Sequence, residues 1–135
     1  MNVPGWRDLP PYVIGRQKAE MRFTLPDRMA VFHELAISVR WGDMDAAGHV
    51  NNTNFFRYLE MLRLDWLAQL GFTVDPAGTG PALVNAFCTF HKQLVHPAIV
   101  TATLYASVPG RTTLDTYATL KVGGELRGSG GAKLV

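Results

Sequence analysis

From Glu34 onward the chain alternates. Leu35, Ile37, Val39 and Trp41 are apolar at every second position, with Glu34, Ala36, Ser38 and Arg40 between them. A two-residue period predicts a strand with one buried face. The loop GDMDAAGHVNN (42–52) follows, and then the period changes. Phe55, Leu59, Leu62, Trp66 and Leu70 fall at helical spacing, and Tyr58, Met61, Leu64 and Leu67 widen that stripe into a broad apolar arc. Arg57, Glu60, Arg63 and Asp65 hold the outer side. The pattern predicts a helix from about Thr53 to Leu70, capped by Asn51, Asn52 or Thr53 and stopped at Gly71.

Beyond the turn-rich segment 73–81 the chain returns to strands. Residues 82–94 (ALVNAFCTFHKQL) form one apolar-mixed run that ends before His96-Pro97. Val100, Ala102, Leu104, Ala106 and Val108 alternate with Thr101, Thr103, Tyr105 and Ser107, and Pro109-Gly110 marks a turn. Leu114, Thr116, Ala118, Leu120 and Val122 alternate next, and Gly123-Gly124 reads as a two-residue hairpin turn. A last strand from Glu125 to Val135 is weakened by Gly128, Gly130 and Gly131. The expected order is strand, long helix, then four strands as an antiparallel meander. A sheet with one apolar face and a helix with a wide apolar arc bury both by wrapping one around the other. This is an α+β architecture, the hotdog fold.

The first residues differ. Pro4, Pro10, Pro11 and Pro26 interrupt any helix or central strand, so residues 1–33 read as an extended arm and 34–135 as the domain. An edge element within 20–25 (EMRFTL) is the weaker alternative. At 135 residues the chain suits one domain. Thirteen Lys and Arg against eleven Asp and Glu leave a net charge of +2, spread along the sequence. No basic stripe of the kind that holds nucleic acid is present. The single cysteine, Cys88, excludes an internal disulfide, and no apolar run reaches the ~20 residues of a membrane span. With no apolar segment of signal-peptide type at the start, a cytoplasmic location is the expectation.

The chemistry concentrates in the 41–52 loop, whose last residues reach the helix N-terminus. Unpaired N–H groups and the positive end of the macrodipole project there, which stabilises an anion or a developing oxyanion. Asp45 or Asp43, a few residues upstream, would then sit across a bound carbonyl from those donors. Turn chemistry alone also accounts for Asp, Asn and Gly at these positions. A calcium loop is excluded: Asp43, Asp45 and Gly48 occupy its positions 1, 3 and 6, but Ala47 and Asn54 stand where ligands at 5 and 12 are needed. No GxSxG elbow exists, and Cys88 lies mid-strand as a small core residue. His91 and His96 lack metal-ligand spacing and read as solvated or capping groups.

The stretch VRWGDMDAAGHVNNTNFFRYLEMLRLDWLAQLG (39–71) resembles the opening signature of the 4-hydroxybenzoyl-CoA thioesterase-like hotdog proteins, the acyl-CoA thioesterase superfamily. The resemblance runs over roughly 34–135, through ALVNAFCTFHKQLVHPA and PGRTTLDTYATL. It implies that Asp45 is the catalytic carboxylate, acting as nucleophile or as general base, since family members differ. It places the N–H donor to the thioester carbonyl at Asn52 or a neighbour. His49 and Asn51 take the motif's polar positions, orienting the loop or the attacking water, while Asp43 is structural. Lys92, Arg111 and Thr112 are the implied contacts to the CoA phosphates.

The resemblance also implies an active site at a subunit interface. A homodimer assembling further into a homotetramer fits a five-stranded sheet with open edges. Two departures stand out. Relatives continue the last strand into a Pro-containing tail where this sequence reaches Val135, and residues 1–33 exceed the usual arm. The expected activity is hydrolysis of an acyl-CoA to free acid and CoA, with no metal or redox cofactor. Phe55, Phe56 and Trp66 are candidate acyl-pocket residues that core packing explains equally well. An acyl-carrier-protein thioesterase or a non-catalytic acyl-thioester-binding dimer is the alternative. A hotdog dehydratase, lacking its His-containing motif, ranks last.

Overall fold

The computed structural model describes residues 24–72, 76–78 and 80–135. The arm assignment for residues 1–23, most of the EMRFTL element and part of the 73–81 turn segment lie outside these. Among the described residues, five strands and one long helix follow in the order β1 (Ala30–Ser38), α1 (Asn52–Gln69), β2 (Leu83–Phe90), β3 (Ile99–Ala106), β4 (Leu114–Val122) and β5 (Glu125–Leu134). The strands form one antiparallel sheet, and α1 packs on it against β1, β3 and β2. The expected α+β hotdog architecture is the observed one.

The alternation places the side chains as the period requires. Ile37, Val39, Val100, Ala102, Leu104, Ala118 and Leu120 face the helix, and Phe55, Tyr58, Leu59, Leu62 and Trp66 face back. Leu62, Leu94, Val100, Ala102 and Leu120 have no accessible surface. Burying each large apolar side chain contributes about 1.5–3 kcal/mol, so this seam carries most of the stability. α1 begins one residue before the expected Thr53. Asn51 is its N-cap, accepting from the Thr53 N–H at 2.9 Å, a contact worth about 1 kcal/mol. Gly71 takes a left-handed φ of +86° just past the helix, as its position predicted.

Four expectations are corrected. The last four strands are not a meander: the spatial order is β1-β3-β4-β5-β2, so β2 pairs with β5 and occupies an edge. Only the Gly123-Gly124 turn, with φ of +56° and +79°, joins neighbours through two residues. The longer 91–98 connection leaves β3 free to pair elsewhere, with β1 and β4. Second, β1 starts at Ala30, within the segment read as arm. Third, Trp41 is not on the buried face; the strand ends at Ser38 and Trp41–Asp43 form a 3-10 turn with Trp41 76% exposed.

The glycines of β5 are the fourth correction. A Cβ at Gly128 would lie 2.9 Å from Phe55 Cδ1. One at Gly130 would lie 2.5 Å from the Phe87 carbonyl oxygen and 2.9 Å from Leu59 Cδ1. Glycine here admits the helix and the neighbouring strand to close approach rather than weakening the strand.

Candidate active site

The 41–52 loop is tied down at both ends. Val39 N–H donates to Ala98 O at 2.8 Å and Val50 N–H to Leu94 O at 2.8 Å, fixing the loop to the segment before β3. Met44 and Val50 pair as an isolated antiparallel bridge, and Gly48 turns the chain between them at φ +81°. Two aspartates then part company. Asp43 Oδ2 accepts from the Tyr58 hydroxyl at 2.7 Å and from Arg40 N–H at 3.0 Å. Its carbonyl accepts from Asn54 Nδ2 at 2.8 Å and Asn51 N–H at 3.0 Å. Asp43 therefore anchors the loop to the first two turns of α1. Tyr58 is 2% exposed, and its burial, with the Asp43 hydrogen bond and charge added, pushes its phenol well above the ordinary value.

Asp45 is turned outward. Its Oδ1 accepts from Ala47 N–H at 2.9 Å and its Oδ2 from Asn51 Nδ2 at 3.2 Å, so each oxygen keeps a lone pair for chemistry. Asn51 works in both directions, since its Oδ1 accepts from Thr53 N–H and Thr53 Oγ1 while its Nδ2 holds Asp45. That cap takes the Thr53 N–H, and Asn54 N–H goes to Asn51 O at 2.8 Å. The first N–H of α1, at Asn52, makes no hydrogen bond among the described residues. It is thus the donor left at the positive end of the helix.

Asp45, His49, Asn51 and Asn52 line one cleft of about 500 Å³, together with Val50, Phe55, Phe90, His91, Lys92 and Gln93. The sequence-derived catalytic set is brought together in it. Val50, Phe55 and Phe90 make an apolar wall, and the Phe90 ring meets Phe55 edge-on at 5.0 Å and Phe56 at 6.3 Å. Trp66 stands apart: it faces the far end of the helix beside Phe32 at 6.2 Å.

The expected phosphate contacts are divided. Lys92 lines the Asp45 cleft, where its Nζ bonds Glu125 Oε2 at 2.8 Å. Arg111 and Thr112 lie at the opposite end of α1, in a groove with Trp66, Leu70 and Phe72. Eighteen helical residues span about 27 Å between the two places. Cys88 is half-buried on β2, and burial pushes its thiol up to about 11, in keeping with an unreactive core residue. Among the described residues, no group of three or more His, Cys, Asp or Glu side chains is arranged to hold a metal ion, and no helix is long and apolar enough to cross a membrane.

Sequence reasoning missed the residues that support this site. Tyr58 was counted only as part of the apolar arc, and Asn54 only in excluding a calcium loop. Their i, i+4 spacing on the helix face nearest the loop was the available signal. Glu125 and Arg127 were also passed over, although alternation puts both on one face of β5. Arg127 Nε lies 2.8 Å from Glu125 Oε1 in an ion pair, and its Nη1 donates to Gln93 O at 2.5 Å. The hydrogen bond from Lys92, with the Lys92 and Arg127 charges, holds the Glu125 carboxyl below the usual range.

With this geometry in view, comparison with known proteins is informative. A family model described as the thioesterase-like superfamily matches residues 39–129. The PA2801 protein of Pseudomonas aeruginosa, a candidate thioesterase, is 40% identical; the match covers 78% of this chain and 84% of that one, with a TM-score of 0.72. A candidate acyl-CoA thioesterase from Xanthomonas campestris is 26% identical, covering 78% and 92% with a TM-score of 0.72. A candidate esterase from Aquifex aeolicus is 34% identical over 61 residues, 43% of this chain. That match spans about half, 48%, of the Aquifex protein's length.

Proposed function

The chain belongs to the thioesterase-like superfamily, and from that premise we propose that it is an acyl-CoA thioesterase, with Asp45 as its reacting carboxylate. One observation carries the reading. The Asp45 carboxylate is held by Ala47 N–H and Asn51 Nδ2 in the same cleft as the unpaired Asn52 N–H at the start of α1. A base or nucleophile faces an oxyanion donor, the pair that cleavage of an activated acyl group requires.

The thioester carbonyl oxygen points at the Asn52 N–H, and the acyl group lies along Val50, Phe55 and Phe90. As base, Asp45 takes a proton from water; the hydroxide adds to the carbonyl carbon, the C–S bond breaks, and the thiolate leaves with that proton. As nucleophile, an Asp45 oxygen adds directly, expels the thiolate and leaves a mixed anhydride that water hydrolyses. The His49 ring lines the cleft beside the attacking water, and its carbonyl fixes Asp45 by accepting the Asp45 N–H at 2.9 Å. Asn51 sets the carboxylate's orientation, and no metal or redox group takes part in this scheme.

The homodimer belongs to the same proposal. β2 is an edge strand carrying Leu83 and Val84 at 50% and 56% exposure, open to pairing with its own copy. A two-fold axis perpendicular to the sheet reverses the helix. It brings the Arg111 and Thr112 end of one copy toward the Asp45 end of the other, where they reach the carrier of that copy's substrate. Free-thiol release from a panel of short, long and aromatic acyl-CoAs tests the activity. Release from at least one supports it. None from any, with the protein folded and at twice the monomer mass, overturns it in favour of carrier-protein thioesters or a non-catalytic acyl binder.

A further inference from the structure

The helix carries a second stripe beside the one that faces the sheet. Phe56, Glu60, Arg63 and Leu67 each follow a core-facing residue, so they form a row rotated by about 100° from Phe55, Leu59, Leu62 and Trp66. The row lies on the β2 side of α1, where the Phe56 ring meets Phe90 edge-on at 6.3 Å. The other flank belongs to β1, through the contact of His33 Nε2 with Asp65 Oδ2 at 2.6 Å. Phe56 is 39% exposed, and Arg63 and Leu67 are half-buried. Burial pulls the Arg63 guanidinium below its ordinary value, against the charge of Glu60 one turn away. Among the described residues, neither Glu60 nor Arg63 makes an ion pair. A charge drawn partly out of water without a counter-charge calls for a partner that the single chain does not supply.

The row is complementary to itself. Its spacing of four, three and four residues is that of a helix-pairing seam, and it is symmetric about the point between Met61 and Leu62. Laid antiparallel on its own copy, apolar meets apolar and acid meets base, each contact occurring twice, as a two-fold interface requires. The level of that midpoint agrees with the edge strand. Phe55 and Leu59 sit over Gly128 and Gly130, the partners of Phe90 and Cys88, so α1 runs antiparallel to β2. From the Phe56–Phe90 contact, the seam's midpoint is about 8 Å along the helix and the middle of β2 about 12 Å along the strand. One axis therefore serves both to within about one strand residue. We propose that a second copy of the chain docks on this flank, pairing Glu60 with the partner's Arg63 and Phe56 with the partner's Leu67. The inference rests on the β2-edge dimer proposed above and adds to its active site. Phe56 stands behind Phe90, so the partner's Leu67 backs the acyl wall, and each cleft is completed by the other copy.

Reciprocity gives a test that a structural role for either charge would fail. Glu60→Arg sets two arginines against two arginines across the seam, and Arg63→Glu sets acids against acids. Each variant alone should dimerise at least about tenfold more weakly than the unmodified chain, read by native mass spectrometry and sedimentation. Mixed together, the two should form a heterodimer in preference to either homodimer, because acid then faces base at both contacts. That rescue also shows both variants to be folded. The heterodimer next assigns the partner's share of the cleft. With Asp45→Asn placed in the Arg63→Glu copy, one live site remains, and its Phe56 faces the other copy's Leu67. Leu67→Ala in that other copy should raise KM for an acyl-CoA by about three- to five-fold, while the same change in the live copy leaves it within about twofold. Single variants that dimerise like the unmodified chain, or a mixture with no preference for the heterodimer, overturn the seam. A larger effect of Leu67→Ala in the live copy overturns the shared wall. An unmodified chain of monomer mass overturns the dimer and the seam together. Absence of thiol release from a heterodimer that forms as expected overturns the thioesterase reading and upholds the seam.

Discussion

Tyr58→Phe removes one oxygen from a packed helix and tests what holds the Asp45 loop in place. The ring stays buried and no cavity opens, so the loss is confined to the hydroxyl that donates to Asp43 Oδ2 at 2.7 Å. A hydrogen bond to a charged acceptor is worth about 1.5–3 kcal/mol. Asp43 is half-buried and keeps the Arg40 N–H, so water recovers part of this, leaving a net loss of about 1–2 kcal/mol. For a chain of this size that is a fall of roughly 3–8 °C in Tm. Urea unfolding of Tyr58→Phe, Asp43→Ala and the double variant isolates the pair, with an expected coupling near 1 kcal/mol. Because Asp43 also holds Asn51 and Asn54, the loop loosens, and kcat should drop by about tenfold with a smaller change in KM. Additive stability losses, with kcat unchanged, would refute the assignment of Tyr58 and Asp43 as the anchor of the loop.

Two further outcomes follow from the packing. Gly130→Ala should destabilise by about 2–3 kcal/mol in denaturant unfolding, because the new methyl would meet the Phe87 carbonyl at 2.5 Å, a backbone atom held in the β2–β5 ladder; a neutral result would contradict the close approach. With its thiol pushed up to about 11, Cys88 should be only about one part in a thousand thiolate at pH 8 and should react slowly with a disulfide reagent. Its rate should climb tenfold per pH unit toward pH 11; a plateau setting in at about pH 9–10 would show a normal thiol.

The sequence made some of this structure readable and hid the rest for physical reasons. Alternation at 100–106 and 114–122 and the helical arc at 55–66 report burial directly, because each residue's side chain is placed by the local backbone period. The Gly123-Gly124 turn fixes the β4–β5 pairing locally. The partner of β2 is β5, which begins only at Glu125 beyond two intervening strands, and no local pattern encodes that pairing. Trp41 continues the apolar alternation, but the 3-10 turn that follows Ser38 carries it out of the sheet. Gly128 and Gly130 look like weaknesses until Phe55 and Leu59 are seen against them. In the site, the polar loop before the helix was legible from its position, which left Asp43 and Asp45 open until the resemblance singled out Asp45. Glu125 and Arg127 were not, since their meeting with Lys92 depends on the β2–β5 register.

The central claim is that the Asp45 carboxylate performs the reaction, and the Asp45→Asn variant tests it most directly. The replacement is nearly isosteric and retains an oxygen to accept from Ala47 N–H or Asn51, so folding and substrate binding should survive. Thiol release from the best acyl-CoA in the panel should fall at least ~100-fold in kcat, the low end for a positioned acid–base group. A variant that keeps near-normal turnover, while Asp43→Asn loses it, would contradict the account.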